Sequence, residues 1–317
     1  MPSVVRPAIP HYIAAPATKE KLEYADLAVL DFSKIGTPEG RAELSVQLRT
    51  AMTTHGFFYI VNHGLTQAEN DRMFDVADVA FSGVPEEEKR NYLANIKTEV
   101  LPGLQAQGIW HIDGGVRDQI EHYNINHDTT GSSIRKRLFA LGLELPEDTF
   151  VNMHTFDATG EAYVRLMKYY PRPAEDEVKA KQYHHFVEPA GYSFAMLMPD
   201  GKWRYVRHID NALVVNSGDA MEFLSGGFYK PTIHRVIQPP QDQRGYDRLS
   251  VIYFAMTDDD VKLVPRLESP VLQKHGIQRR WSDDADAPTM EAWRKGRTSA
   301  YGLVELKMKG SGIERTW

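Results

Sequence analysis

The apolar and polar positions change their rhythm along the chain. In the N-terminal third, short apolar runs alternate with stretches of helical period. Leu27-Ala-Val-Leu-Asp31 reads as a short buried strand and Phe57-Phe-Tyr-Ile-Val61 as a second. Between them, Thr37-Pro38-Glu39 supplies an N-cap with proline in the first turn. The helix it opens runs through Leu44, Leu48 and Met52 and stops at His55-Gly56, with the glycine as the C′ residue. Thr66-Gln-Ala-Glu69 is a capping box, followed by Met73, Val76, Ala77 and Phe81 at helical spacing. Pro85-Glu-Glu-Glu-Lys89 begins a third, shorter helix. Residues 1–24, rich in proline and alanine, are expected to wrap the surface.

The middle, roughly 95–150, carries Gly- and Asp-rich loops around Trp110-His111-Ile112-Asp113-Gly114-Gly115. The spacing predicts a helix over Phe156–Met167 that ends at the strand-like Lys168-Tyr169-Tyr170 before Pro171. From Tyr192 onward the pattern becomes short apolar runs between turns. Strands are expected at Phe194–Met198, Trp203–Val206, Leu213–Asn216, Ala220–Leu224, Thr232–Ile237 and Leu249–Phe254. Pro199-Asp200-Gly201, Asn216-Ser217-Gly218-Asp219 and Ser225-Gly226-Gly227 punctuate them. Many short strands at regular spacing imply a sandwich, barrel or jelly roll. A last helix is expected at Thr289–Arg297. There is no internal repeat and no low-complexity tract.

Composition narrows the function classes. In 317 residues, Lys plus Arg number 37 and Asp plus Glu 43, a net charge of −6. That balance argues against nucleic acid or an anionic membrane as the main partner, since both need a basic face. There is no cysteine, which excludes disulfides, thiolate nucleophiles and Cys-held metals. No secretory leader and no membrane-length apolar run are visible, so a cytoplasmic location is expected. A metal would have to be held by His, Asp, Glu or Tyr, and 12 histidines are present.

The sharpest chemistry lies in His234-Arg235-Val236 and Arg248-Leu249-Ser250, joined by the loop Pro239–Asp247. Adjacent antiparallel strands would put the imidazole and the guanidinium in one cavity. An imidazole is a good Fe(II) ligand. A guanidinium is a planar fork for a carboxylate, and a serine hydroxyl adds a donor. The plain alternative is a hydrogen-bonded barrel histidine and a surface arginine.

On these residues the chain resembles the iron(II)/2-oxoglutarate-dependent dioxygenases of the isopenicillin-N-synthase-like superfamily, in their fungal small-molecule branch. The resemblance rests on Leu27–Asp31, on Gly56-Phe-Phe-Tyr-Ile-Val-Asn-His-Gly64, on Tyr169-Tyr-Pro171, and on the block from Trp203 through Asn211-Ala-Leu-Val-Val-Asn-Ser-Gly-Asp219, Ile233-His-Arg-Val236 and Arg248-Leu-Ser250. It implies an α+β chain with a double-stranded β-helix (jelly-roll) core, a mixed α/β N-terminal region and flanking helices. The implied regions are 1–125 (N-terminal), 126–260 (oxygenase core) and 261–317 (helical extension). The implied cofactor is Fe(II), with 2-oxoglutarate and O₂ as cosubstrates. His234 would be the distal iron ligand, and Arg248, Ser250 and Tyr170 would hold the carboxylate of the oxo-acid.

The resemblance breaks where the family carries a His-x-Asp strand. The interval Lys181–Met198 contains none. His184, His185 and Glu188 are the substitutes nearest the expected place, and the alternative for them is a polar turn before Pro189. His208-Ile209-Asp210 reads as a turn that bonds its own backbone. His111-Ile112-Asp113 falls in the segment before the barrel. His63 is expected to cap a strand end, Asn216 and Asp219 to shape a turn, and Asp118 and Glu121 to lie on a solvated face, the alternative for these two being that they face substrate. Trp203, Phe223, Phe228 and Tyr253 read as core or cavity wall.

The leading function is oxidation of a small, secondary-metabolite-like substrate by hydroxylation or desaturation, with decarboxylation of the oxo-acid to succinate. The alternatives are a metal-free small-molecule binder or redox-neutral isomerase or cyclase on the same scaffold, and an incomplete, inactive oxygenase.

Overall fold

Seven consecutive pairs on each side fix Tyr163–Tyr169 between two partner strands, and the largest sheet grows from that centre. The computed structural model describes residues 8–94, 103–109, 116–126, 133–154, 162–172, 175–176, 193–237 and 239–300. The N-terminal third matches the sequence pattern. β1 (Val29–Asp31) pairs in parallel with β2 (Phe57–Val61) across α1 (Pro38–Thr54). Thr37 caps α1 by accepting from the Gly40 amide at 3.0 Å. α2 (Gln67–Asp78) begins with the full capping box of Thr66 and Glu69, and α3 spans Glu86–Lys89.

β3 (Gly103–Gln105), β4 (Ile120–Asn126), β5 (Tyr163–Tyr169) and β10 (Arg248–Phe254) form one antiparallel sheet in the order β10-β5-β4-β3. β6 (Ser193–Leu197) lies between β7 (Trp203–Tyr205) and β9 (His234–Ile237). β8 (Leu213–Asn216) extends the β1-β2 pair.

Strand alternation assigns the faces. On the outer face of the large sheet, Leu104, Leu166, Leu249 and Val251 pack against Phe74 and Ala77 of α2 and against Phe81. On its inner face, Ile120, Met167, Tyr169 and Ile252 meet Val236 of β9. Phe58 and Ile60 of β2 join Leu44, Leu48 and Met52 of α1, Leu138 of α4 (Ser133–Gly142) and Leu143 just after it. Phe57 and Tyr59 turn the other way, to Phe194 and Met196 of β6. The result is the α+β double-stranded β-helix organisation, with helices outside two facing layers.

Several expectations are corrected. The segment expected to end a Phe156–Met167 helix is β5. Its apolar positions 163, 164, 166 and 167 suit a helix or a two-sided buried strand equally, and pairing on both edges makes it a strand. Ala220–Leu224 is not a strand but part of the helix Asp219–Leu224, which buries Phe223 and Leu224. β9 and β10 are not neighbours: β9 pairs with β6 and β10 with β5, so the loop between them crosses from one layer to the other. Asp118 and Glu121 are not solvated; they are 1% and 6% exposed.

Candidate active site

His234 shares a face of β9 with Val236, the residue that reaches the inner cluster of the large sheet. Arg248 and Ser250 share a face of β10 with Ile252 of the same cluster. The fold therefore brings the imidazole, the guanidinium and the hydroxyl to the two inner faces of one sandwich.

The imidazole is oriented from below. Its Nδ1 lies 2.9 Å from the Thr232 carbonyl, which can only accept, so in the neutral ring the proton sits on Nδ1 and the lone pair on Nε2. Phe57 and Phe194 stand against the ring, with centroids 5.3 and 5.1 Å away. The Thr232 segment is itself docked on the end of α1. Thr232 Oγ1 donates to the His55 carbonyl at 2.5 Å, and the Lys230 amide donates to the Met52 carbonyl at 3.2 Å. Gly56 makes that docking possible. Its φ is +69°, and a Cβ there would lie 2.3 Å from the Lys230 carbonyl and 2.6 Å from Thr232 Oγ1.

The guanidinium is held from the side. Arg248 Nη2 donates to Gln243 Oε1, and Gln243 Nε2 donates to the Pro16 carbonyl at 2.6 Å. Gln243 is buried and escapes the sequence reading, since a glutamine in a Pro- and Asp-rich loop carries no signal of its own.

Tyr170 does not join that arrangement. Its neighbour Tyr169 is the residue opposite Arg248, so Tyr170 follows Lys168 to the outer side. There its hydroxyl donates to Glu121 Oε2 at 2.6 Å. Burial first, and then the Glu121 charge, push the phenol well above its ordinary range, so it stays a donor. Glu121 also pairs with Lys89 at 3.1 Å, and both side chains are nearly inaccessible. Lys168 pairs with Asp78 at 3.0 Å and with Asp247 at 3.2 Å.

The other candidate ligands divide into two groups. His184, His185 and Glu188, and the His111–Asp113 triplet, lie outside the described residues. His208 and Asp210 are exposed and bond each other at 3.1 Å, not their own backbone. His63 places Nε2 2.9 Å from the Asn211 carbonyl. Among the described residues, no three His, Asp or Glu side chains gather to hold a metal. His234, with its free Nε2, fits one position of an iron site, and Arg248 with Ser250 fits the carboxylate of an oxo-acid.

Two family models match the chain in sequence. The N-terminal model for non-haem dioxygenases in morphine synthesis matches residues 27–142, and the 2OG-Fe(II) oxygenase superfamily model matches residues 165–257. Jasmonate-induced oxygenase 4 of Arabidopsis thaliana is 27% identical over 312 residues, covering 82% of each chain. The 2-oxoglutarate-dependent dioxygenase citB of Monascus ruber is 25% identical over 316 residues, covering 82% of this chain and 90% of that one. The crystal structure of a 2OG-Fe(II) oxygenase family protein from Caulobacter crescentus superposes with a TM-score of 0.70 at 20% identity, covering 86% of this chain and 99% of that one. The chain belongs to the 2OG-Fe(II) oxygenases of the isopenicillin-N-synthase-like superfamily. Among the described residues, no helix is long and apolar enough to cross a membrane.

Proposed function

We propose that this chain is a 2-oxoglutarate-dependent dioxygenase that hydroxylates or desaturates a small organic substrate with Fe(II), 2-oxoglutarate and O₂. The reading is supported by His234 sharing a face of β9 with Val236, and Arg248 and Ser250 a face of β10 with Ile252, two residues of one inner cluster. Fe(II), when bound, would supply the redox chemistry that couples oxidation of the oxo-acid to O₂. His234 offers Nε2 to the metal, and His184 or His185 with Glu188 would complete the ligand set. Arg248 presents its planar fork to the distal carboxylate of 2-oxoglutarate, and Ser250 adds a hydroxyl donor. Gln243 holds the guanidinium in place, and Thr232 holds the imidazole. Phe57 and Phe194 pack their rings against the imidazole.

The test is succinate release. Full-length protein with Fe(II), ascorbate and 2-oxoglutarate is assayed against a panel of small acids, phenols and lactones. Succinate formed in step with substrate oxidation, and lost in Arg248→Ala, is the expected outcome. A panel without succinate, from protein that melts cooperatively, contradicts the reading.

A further inference from the structure

The inner face of the large sheet carries more polar chemistry than an oxo-acid site uses. Successive rungs run across it. Ser250, Met167, His122 and Gln105 stand opposite one another in turn, and the next rung runs Ile252, Arg165, Asn124, Gly103. Beyond it stand Phe254, Tyr163 and Asn126.

Arg165 is the unusual member. Its Nε donates to Asn124 Oδ1 at 2.8 Å. Its guanidinium lies 5.3 Å from the Tyr163 ring centroid and 5.4 Å from that of Phe254, two rings stacked at 4.6 Å. Among the described residues no carboxylate pairs with it, and its two Nη groups form no hydrogen bond. On the same face of the sheet, Gln105 Nε2 and Asn126 Oδ1 are buried without a partner among the described residues. His122 adds no charge, because burial, with Arg165 beside it, pushes its pKa down to about 2. Unsatisfied polar groups in an interior are costly, and a ligand that completes them recovers that cost.

We propose that Arg165 anchors a subsite for a small carboxylic acid, the substrate of the oxygenase, whose carboxylate sits on the two Nη groups. Gln105 Nε2 and Asn126 Oδ1 then offer one donor and one acceptor to polar substituents of the same molecule. The inference rests on the oxygenase reading, since Arg248 on the same face is reserved for the oxo-acid. Arg165 lies four residues along β5 from Tyr169, the partner of Arg248, which is about 13 Å of strand, so each guanidinium takes its own carboxylate.

The experiment measures binding, not turnover. Full-length protein saturated with 2-oxoglutarate is titrated with benzoate, 4-hydroxybenzoate and hexanoate, and with the three matching carboxamides, by calorimetry and thermal shift. At least one acid is expected to bind and raise the melting temperature where its amide does not. Arg165→Gln is expected to weaken that acid by about tenfold or more, with 2-oxoglutarate affinity retained. Arg165→Lys, which keeps the charge and loses the fork, is expected to fall between and covers the case in which the glutamine variant folds poorly. Acids and amides that bind alike, a panel with no binder, or acids that bind Arg165→Gln as tightly as the parent would each overturn the subsite. Failure of 2-oxoglutarate to bind the parent protein is a separate result, which sinks the oxygenase reading instead.

Discussion

The Tyr170 hydroxyl donates to Glu121 Oε2 at 2.6 Å, and that bond ties the tyrosine to the outer side of the sheet whose inner side carries Arg248. Tyr170→Phe should therefore lower stability by about 1 kcal/mol, the worth of one hydrogen bond, and leave 2-oxoglutarate affinity unchanged. Calorimetric titration beside a thermal melt separates the two roles. A large loss of affinity with an unchanged melt would return Tyr170 to the carboxylate.

Removing the other partner of Glu121 has a larger expected effect. Lys89 and Glu121 are 5% and 6% exposed. Lys89→Met leaves a carboxylate buried with only the Tyr170 donor, and should cost about 3 kcal/mol of stability. Denaturant unfolding measures this directly. A change near zero would mean that water reaches Glu121 and that the pair is a surface one.

Gly56 links the end of α1 to the histidine. Gly56→Ala places a Cβ against the Lys230 carbonyl and Thr232 Oγ1 in a left-handed backbone. The expected cost is about 2 kcal/mol, and the displaced Thr232 carbonyl should loosen the His234 ring. The variant should need more Fe(II) to saturate than the parent at a temperature where both are folded. An unchanged iron titration would show that the Thr232 bond does not position the ligand.

His122 makes stability depend on pH. The fold keeps the imidazole neutral down to about 2, whereas the unfolded chain protonates it near the ordinary histidine value. Its contribution is complete above that value and is lost as pH falls toward the folded pKa. The slope is about 1.4 kcal/mol per pH unit for the one proton. His122→Gln should flatten the fall in melting temperature between about pH 6 and 4. Parallel pH profiles for parent and variant would contradict the buried neutral imidazole.

The sequence disclosed what local chemistry writes. Thr37 with Pro38, the Thr66 and Glu69 box, and Gly56 after His55 are punctuation that acts within one turn, and the structure places all three as read. β5 reads as helix because a strand buried on both faces loses its alternation. β4 is hidden because Glu121 looks solvated until Lys89 and Tyr170 reach it from other parts of the chain, and Asn124 finds its partner in Arg165 of β5. The motifs that carry His234 and Arg248 are legible in the sequence. Their placement in two facing sheets is not, because ladder partners are set by residues far away in sequence.

Fe(II) held through His234 beside an oxo-acid held by Arg248 would form a coloured chelate. Anaerobic titration with Fe(II) in saturating 2-oxoglutarate, followed by the visible charge-transfer absorption of the chelate, tests it most directly. The expected result is a band that saturates at one Fe(II) per chain, vanishes in His234→Ala and needs far more 2-oxoglutarate in Arg248→Ala. Parent protein that melts cooperatively yet shows no band at any Fe(II) concentration would contradict it.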